Sequence, residues 1–274
     1  VTAPYGEGMT TPPASPVSPA DDRAHIEADG VPVADPGLLG ALMSGYGHFT
    51  AMQVRDGRVK GLGLHLERLD RSTRELFGRG LGGGRVRELV AGALEAAGRR
   101  DASVRVYVYE GARTVVAVRA PAPDGPGAPQ RLASVAYERP AAHLKHLGGF
   151  GQRHHGEAAR RAGYDDALLT SPAGEIAEGA VTNIAFWDGT SVVWPAAPCL
   201  HGITMALLEP RLGSVRRAVF LADLPRYRAA FTTNSRTIAP VTAVDGVAFA
   251  VDEELMGRVR AAYGSVPPEA LRPR

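Results

Sequence analysis

Residues 163–189 read GYDDALLTSPAGEIAEGAVTNIAFWDG, and the way they parse decides the fold. DALLT, GEIAEG and VTNIAFW are apolar runs too short for helices, and Gly, Asp or Pro separates each from the next. Such runs are strands joined by tight turns. Outward from them, SVVWP (191–195), AAFTTN (229–234) and IAPVTAV (238–244) add further strands. Between these lies ITMALLEPRL (203–212), a helix opened by Gly202. Pro210 should bend or end it, because proline lacks an N–H and its ring clashes with the preceding turn. DEELMGRVRAAYG (252–264) reads as a last helix, and residues 152–162 as a short one.

Upstream, YGHFTAMQVRDGRVKGL (46–62) sets two apolar runs about Asp56-Gly57, a hairpin signal. Leu62, Leu66, Leu69, Thr73 and Leu76 recur at helical spacing and predict a helix over 64–77; Val86, Leu89, Val90, Ala93 and Leu94 mark a second. SVRVYVYEG (103–111) and RTVVAVR (113–119) look like paired strands, with APAPDGPGAPQ (120–130) a loop after them. GRGLGGGR (78–85) follows a helix and lacks the GxxxxGK[ST] pattern, so it reads as a flexible loop rather than a phosphate loop. Residues 1–22 are rich in Pro, Ser and small polar residues and read as a mobile tail, with order beginning near HIEADGVPV (25–33). The result is a mixed α/β chain in two halves, 23–137 and 149–274, joined by a link at 138–148.

Composition narrows the class. The 274 residues can bury two small cores, and 45% hydrophobic with 22% charged residues is ordinary for a globular protein. The net charge of +2 comes from scattered arginines without a basic stripe, so no nucleic-acid partner is expected. Cys199 is alone, which excludes an internal disulfide and suits a reducing interior. With no apolar run of about 18 residues and no apolar leader, the expectation is a cytoplasmic protein with no membrane partner.

HLKHLGGFGQRHHG (143–156) poses the chemical question. The only lysines are Lys60 and Lys145, and Lys145 stands in a run with four of the eight histidines. Either the run is a metal-binding or solvent-facing loop, or the amine itself is needed. Arginine cannot replace lysine where an amine must lose its proton and attack a carbonyl. His143 and His146 are three apart and His154 and His155 adjacent, but no second anchored pair of ligands accompanies them, so no metal is expected. His65 should cap or pack the helix it precedes.

The 163–189 stretch, LHGITMALLEP (200–210) and FTTNSRTIAPV (231–241), with GYGHFTAMQVRDG (45–57) and HLERLDRST (65–73), resemble the class IV aminotransferases. The resemblance runs from about residue 25 to the last helix. It implies the two-domain, fold-type IV α/β architecture of pyridoxal-phosphate (PLP) enzymes, with a smaller N-terminal domain and a larger C-terminal pseudo-barrel domain. It implies that Lys145 carries PLP as an imine; a surface lysine is the plain alternative. Glu178 matches the carboxylate that keeps the pyridine nitrogen protonated, against a solvated strand glutamate. Asn183 and Thr182 resemble neighbours in the same pocket.

Gly202, Ile203 and Thr204 resemble the segment whose N–H groups meet the cofactor phosphate, and Thr233, Asn234 and Ser235 a second phosphate loop. Arg68 matches the arginine that reaches this phosphate, although Arg71 and Arg74 share its stretch and an exposed helix arginine is the alternative. Tyr164 is assigned to the cofactor's phenolic oxygen or to the core. Tyr46, Thr50 and Arg105 fall on the substrate side; Arg105 would hold a carboxylate by a bidentate pair, or is a strand-edge arginine. Four features depart from the family: Thr50 where many transaminases have Glu, His201 for a common Pro, Met205 for an Arg, and an early Pro-Val at 240–241. These touch the substrate side or the phosphate edge more than the imine. The resemblance thus implies a homodimeric aminotransferase working on an amino donor and a 2-oxo acid. An aminodeoxychorismate-lyase-like enzyme eliminating pyruvate is the runner-up. A non-catalytic PLP-fold binder is third, and Lys145 and Glu178 argue against it.

Overall fold

The computed structural model describes residues 27–28, 31–32, 34–110 and 113–272; the tail expected at 1–22 lies outside them. The chain divides between Ser44 and Gly45. Its first unit holds a two-stranded sheet of β1 (Glu27–Ala28) and β2 (Val31–Pro32), then helix α1 (Pro36–Met43).

The second unit begins with the expected hairpin, β3 (Gly47–Arg55) and β4 (Arg58–Lys60). Asp56 and Gly57 have φ of 48° and 68°, the left-handed region that a two-residue hairpin turn requires. Helices α2 (Leu62–Phe77) and α3 (Gly83–Ala96) follow, then β5 (Ala102–Tyr109) and β6 (Arg113–Arg119). The glycine-rich stretch is not wholly loop, because Gly83–Arg85 already form the first turn of α3. The remainder is pinned, with Leu81 buried and its N–H on Asp70 Oδ1 at 2.8 Å.

The chain continues through β7 (Gln130–Ala136), α4 (Phe150–Arg161), β8 (Asp166–Thr170), β9 (Ile176–Gly179), β10 (Asn183–Trp187) and β11 (Val192–Pro195). Then come α5 (Ile203–Leu208), β12 (Val215–Arg217), β13 (Ala229–Thr233), β14 (Ile238–Val244), β15 (Val247–Ala248), α6 (Glu253–Gly264) and β16 (Pro268–Ala270). As Pro210 requires, α5 stops at Leu208 and passes into a 3-10 turn, Glu209–Arg211.

Two sheets result. The smaller has five strands in the order β16-β4-β3-β5-β6; the larger has nine, β12-β11-β10-β13-β14-β7-β8-β9 with β15 on β14. The chain leaves the small sheet at Arg119 and enters the large one at Gln130, earlier than the 138–148 link placed from sequence. QRLASVA has little strand character of its own. It is a strand because β8 and β14 pair with it in parallel on both sides.

Alternation along the small sheet creates two unlike faces. Met52 and Val54 of β3 and Val104, Val106 and Val108 of β5 pack under Leu62, Leu69, Val86, Val90 and Leu94 of α2 and α3. Each such side chain contributes about 1.5–3 kcal/mol when fully buried. Phe49, Ser103, Arg105 and Tyr107 take the intervening positions and occupy the other face. The link then adds to the edge of β3: Phe49 N–H donates to Lys145 O, and Leu147 N–H to Gly47 O, both at 2.9 Å. Paired residues in an antiparallel ladder project to the same side, so Lys145 is delivered onto the face that carries Phe49. Among the described residues no helix is long and apolar enough to cross a membrane.

Candidate active site

Lys145 Nζ sits 4.9 Å from the centre of the Phe49 ring. That ring stacks on Tyr107 at 5.5 Å, and the Arg105 guanidinium lies 5.8 Å from it while reaching the Tyr107 hydroxyl at 3.4 Å. Burial, then the charges of Arg68 and Arg139, push the Lys145 amine down to about 7; Glu178 opposes this and Arg105 adds to it. A substantial fraction is therefore neutral near pH 7, the form that attacks a carbonyl or takes up a proton.

Glu178 is buried on β9, which pairs Glu178 with Leu169 of β8. Its Oε1 accepts from Arg139 Nη1 at 2.8 Å and from Leu200 N–H at 3.3 Å. Burial leaves the carboxyl pKa raised above the ordinary carboxylate value, and the Arg139 ion pair, with the Leu200 N–H, works against that rise. Arg139 also donates to Ala142 O and Leu144 O, both at 3.0 Å, and to Gln152 Oε1 at 2.6 Å. One guanidinium thus ties Glu178 to the carbonyls of the turn that delivers Lys145. Reading the sequence missed Arg139. Its only signal is its place just before Pro140, at the start of the link.

Arg68 points inward from α2 with 5% exposure, and burial, aided by Arg71, lowers its pKa to about 10. Its Nη2 donates to Thr50 Oγ1, while Nε has no partner among the described residues. Thr50, expected on the substrate side, is fully buried. Its hydroxyl also lies 2.7 Å from His65 Nδ1, so it links His65 to Arg68. His65 packs rather than caps: burial, with the charges of Arg68 and Lys145, holds it neutral.

The start of α5 and the loop after β13 meet at a hydrogen bond, Thr204 Oγ1 to Asn234 O at 2.8 Å. Gly202 precedes Ile203 with no side-chain cap, and a Cβ on it would overlap Asn183 Oδ1. Asn183 in turn donates from Nδ2 to Leu200 O at 2.7 Å, and Thr182 O accepts from Gly179 N–H at 2.8 Å. Asn234 spends its Oδ1 on the N–H groups of Arg236 and Thr237, at 2.8 and 3.1 Å, so its side chain shapes the loop. Thr233 Oγ1 is buried without a partner among the described residues. Ser235 lines a cavity of about 190 Å³ together with Gln53, Ser103, Arg105, Arg119 and Arg236.

Tyr164 goes elsewhere, to a cluster with Ala159, Ala167 and Leu169 between α4 and β8, where Arg131 lies 5.3 Å over its ring. Tyr46 is 53% exposed and meets Phe77 edge-on. Lys60 caps α6, donating to Tyr263 O at 2.7 Å and Gly264 O at 3.1 Å. His143 reaches Glu75 at 2.7 Å and His146 reaches Pro140 O at 2.9 Å, whereas His154 stacks on Phe150. Among the described residues no three His, Cys, Asp or Glu are grouped to hold a metal.

The amino-transferase class IV family model matches residues 47–244, and the chain belongs to that family, whose enzymes depend on PLP. No curated protein matches the chain. Among solved structures, a provisional 4-amino-4-deoxychorismate lyase of Legionella pneumophila aligns at TM-score 0.74 and 19% identity, over 82% of this chain and 93% of that one. The branched-chain amino acid aminotransferase of Escherichia coli aligns at 0.74 and 20%, over 85% and 92%. A hypothetical aminotransferase of Mycobacterium tuberculosis in its PLP-bound form aligns at 0.69 and 20%, over 82% and 90%. At such identities the likeness is one of fold: the mixed α/β chain has the fold-type IV architecture.

Proposed function

We propose that this chain is a PLP-dependent aminotransferase passing an amino group between a small-molecule amino donor and a 2-oxo acid, with Lys145 holding the cofactor. One observation carries the reading: a lysine amine lowered to about 7 within electrostatic reach of both a buried carboxylate, Glu178, and a buried arginine, Arg68, that has no carboxylate partner among the described residues. The donor set suits PLP. Arg68 Nε and Thr233 Oγ1 are orphaned buried polar atoms of the kind that an anionic group satisfies. When bound, PLP supplies an aldehyde that takes up the donor's amine and a ring that spreads the electrons left when Cα loses its proton.

The chain's residues divide the remaining work. Lys145 would move a proton between the substrate Cα and C4′ of the cofactor, which a group with pKa near the working pH does best. Glu178 receives Arg139 and Leu200 on Oε1, which leaves its other oxygen as the acceptor that would meet the ring nitrogen. Arg68, Thr233, Ser235 and the N–H groups of Gly202, Ile203 and Thr204 would hold the phosphate, with the Thr204 hydroxyl tying α5 to Asn234 O and Asn183 buttressing Gly202. Phe49 and Tyr107 form the floor, Arg105 holds the substrate carboxylate, and Tyr46 stands at the rim. The homodimer is part of this proposal: Tyr46, Phe150 and Val181, exposed by 53%, 81% and 60%, are large apolar side chains that a second copy would cover.

The test is a half-reaction. The protein with PLP should be yellow, and borohydride should fix a pyridoxyl group on Lys145. At least one amino donor, given without an acceptor, should bleach the absorbance band, and pyruvate or 2-oxoglutarate should restore it. A label on Lys60, or no uptake of PLP, would overturn the cofactor assignment. Release of pyruvate from aminodeoxychorismate, with no donor bleaching the band, would make the chain a lyase.

A further inference from the structure

A second cavity, of about 390 Å³, adjoins the loop after β13. Five cations line it: Arg55, Arg58 and Lys60 from the β3–β4 hairpin, Arg236 from the loop, and Arg260 from α6. Asp124 is the one carboxylate among its lining residues, and it is paired with Arg55 at 2.8 Å. Arg260 has a distant partner in Glu253, at 3.7 Å. Arg58 is anchored on Pro268 O at 2.8 Å, and Lys60 on Tyr263 O and Gly264 O. Carbonyls orient these cations without neutralising them. Arg236 makes no ion pair among the described residues.

Five cations therefore converge from three separate elements against two carboxylates. Like charges gathered on concave, low-dielectric walls repel one another and focus a positive potential into the space between them. The volume falls within the range of small-molecule sites, about 300–1,000 Å³. A flat solvated surface would let these side chains spread apart, but their carbonyl anchors hold Arg58 and Lys60 in place. Ser235 and Arg236 also line the smaller cavity beside Arg105, so the two spaces share a wall.

We propose that this cavity, which shares Thr204, Asn234 and Ser235 with the proposed phosphate position of PLP, binds a compact small-molecule polyanion, with two or more negatively charged groups, in addition to PLP. Arg58, Lys60, Arg236 and Arg260 provide the contacts, and Tyr263 the apolar wall. The chemistry fits a phosphate-bearing molecule or a polycarboxylate, and two probes distinguish them.

Protein saturated with PLP, so that the cofactor's own phosphate position is filled, is titrated calorimetrically with pyrophosphate and separately with citrate. One saturable site per chain is expected for at least one probe, weakening as salt is raised. Arg58→Gln and Arg260→Gln should each weaken it about tenfold, the size of one charge-assisted hydrogen bond, while PLP retention stays unchanged. Arg260→Lys should keep binding close to wild type, which separates charge from misfolding. Tighter pyrophosphate assigns a phosphate-bearing ligand, and tighter citrate a polycarboxylate. No saturable binding of either probe, equal affinity in both glutamine variants, or binding only by displacement of PLP would overturn the proposal.

Discussion

Arg68 carries a charge into the interior at 5% exposure and, among the described residues, meets a threonine hydroxyl and no carboxylate, with its Nε–H unpartnered. Burying a charge costs several kcal/mol unless something repays it. If Arg68 holds the PLP phosphate as proposed, the cofactor-free protein bears that cost and the PLP-bound protein recovers it, so one substitution should affect stability and PLP binding differently. Arg68→Met should leave the melting temperature of the cofactor-free protein unchanged or higher. It should weaken PLP binding by at least about tenfold, as losing a hydrogen bond to a charged group does. A fall in both would make Arg68 structural. Lys145 gives a pH test. Its folded pKa of about 7 lies below the ordinary 10.5, so between those values the unfolded chain holds a proton that the folded chain has released. Stability from this group therefore rises with pH through that window, and below it the full cost of a charged amine remains. Without PLP, the melting temperature of wild type should gain on that of Lys145→Met as pH climbs from 7 toward 10.5. A constant gap would show an ordinary, solvated amine. Lys145 and Glu178 stood out in the sequence as candidates because a rare lysine and an EG pair closing a short strand fall in a recognisable order. Arg139 was not, since a chain full of arginines gives no hint of which one turns inward.

At the scale of elements, the start of α5 is set by a close approach rather than by a cap. Gly202 has ordinary helix-entry angles, φ −64° and ψ 145°, so alanine costs nothing in backbone conformation there. Its Cβ would overlap Asn183 Oδ1, which is tethered through Nδ2 to Leu200 O. Gly202→Ala should therefore displace the α5 start and weaken PLP retention, while Gly246→Ala, where a Cβ meets nothing within 4 Å, should not. Equal retention in the two would remove this segment from the phosphate site. The longer elements were readable because their periodicity is their own: the hairpin about Asp56-Gly57, α2, α6 and the strand run through β11. The elements missed are those that context makes. β12 and β16 are three residues each and β15 two, too short for any period, and PEA carries a proline that argues against a strand. Gly83 and Gly84 enter α3 against their propensity because buried Leu81 and Val86 anchor either side.

At the scale of the whole second unit, the proposed site draws on both sheets. Phe49, Thr50, Arg68 and Arg105 belong to the small sheet and its helices, Glu178 and Thr233 to the large one, and Thr204 to α5. How the chain stitches these two sheets together was not legible in the sequence. It crosses from small sheet to large at 119–130 and returns after α6, whose Leu255, Met256 and Val259 pack on the large sheet, to lay β16 against β4. That return is well anchored. Leu271 and Val266 are 3% and 4% exposed, Arg87 Nη1 donates to Ala270 O at 2.8 Å, and Leu271 N–H to Gly57 O at 3.2 Å. Deleting residues 266–274 removes no residue of the site, yet it frees one edge of the small sheet and strips two buried side chains. Large-to-small changes at such positions cost about 2–5 kcal/mol each, so the urea midpoint should fall sharply. PLP retention should fall with it, because the edge pairing of 145–147 on β3 would be left to hold Arg68 in register with Thr233. Leu271→Ala should show a smaller loss of the same kind. If the truncated protein unfolds earlier but keeps PLP as tightly as wild type, the link alone sets the register and β16 serves stability only. If neither quantity moves, the C-terminal return does not bind the two sheets together.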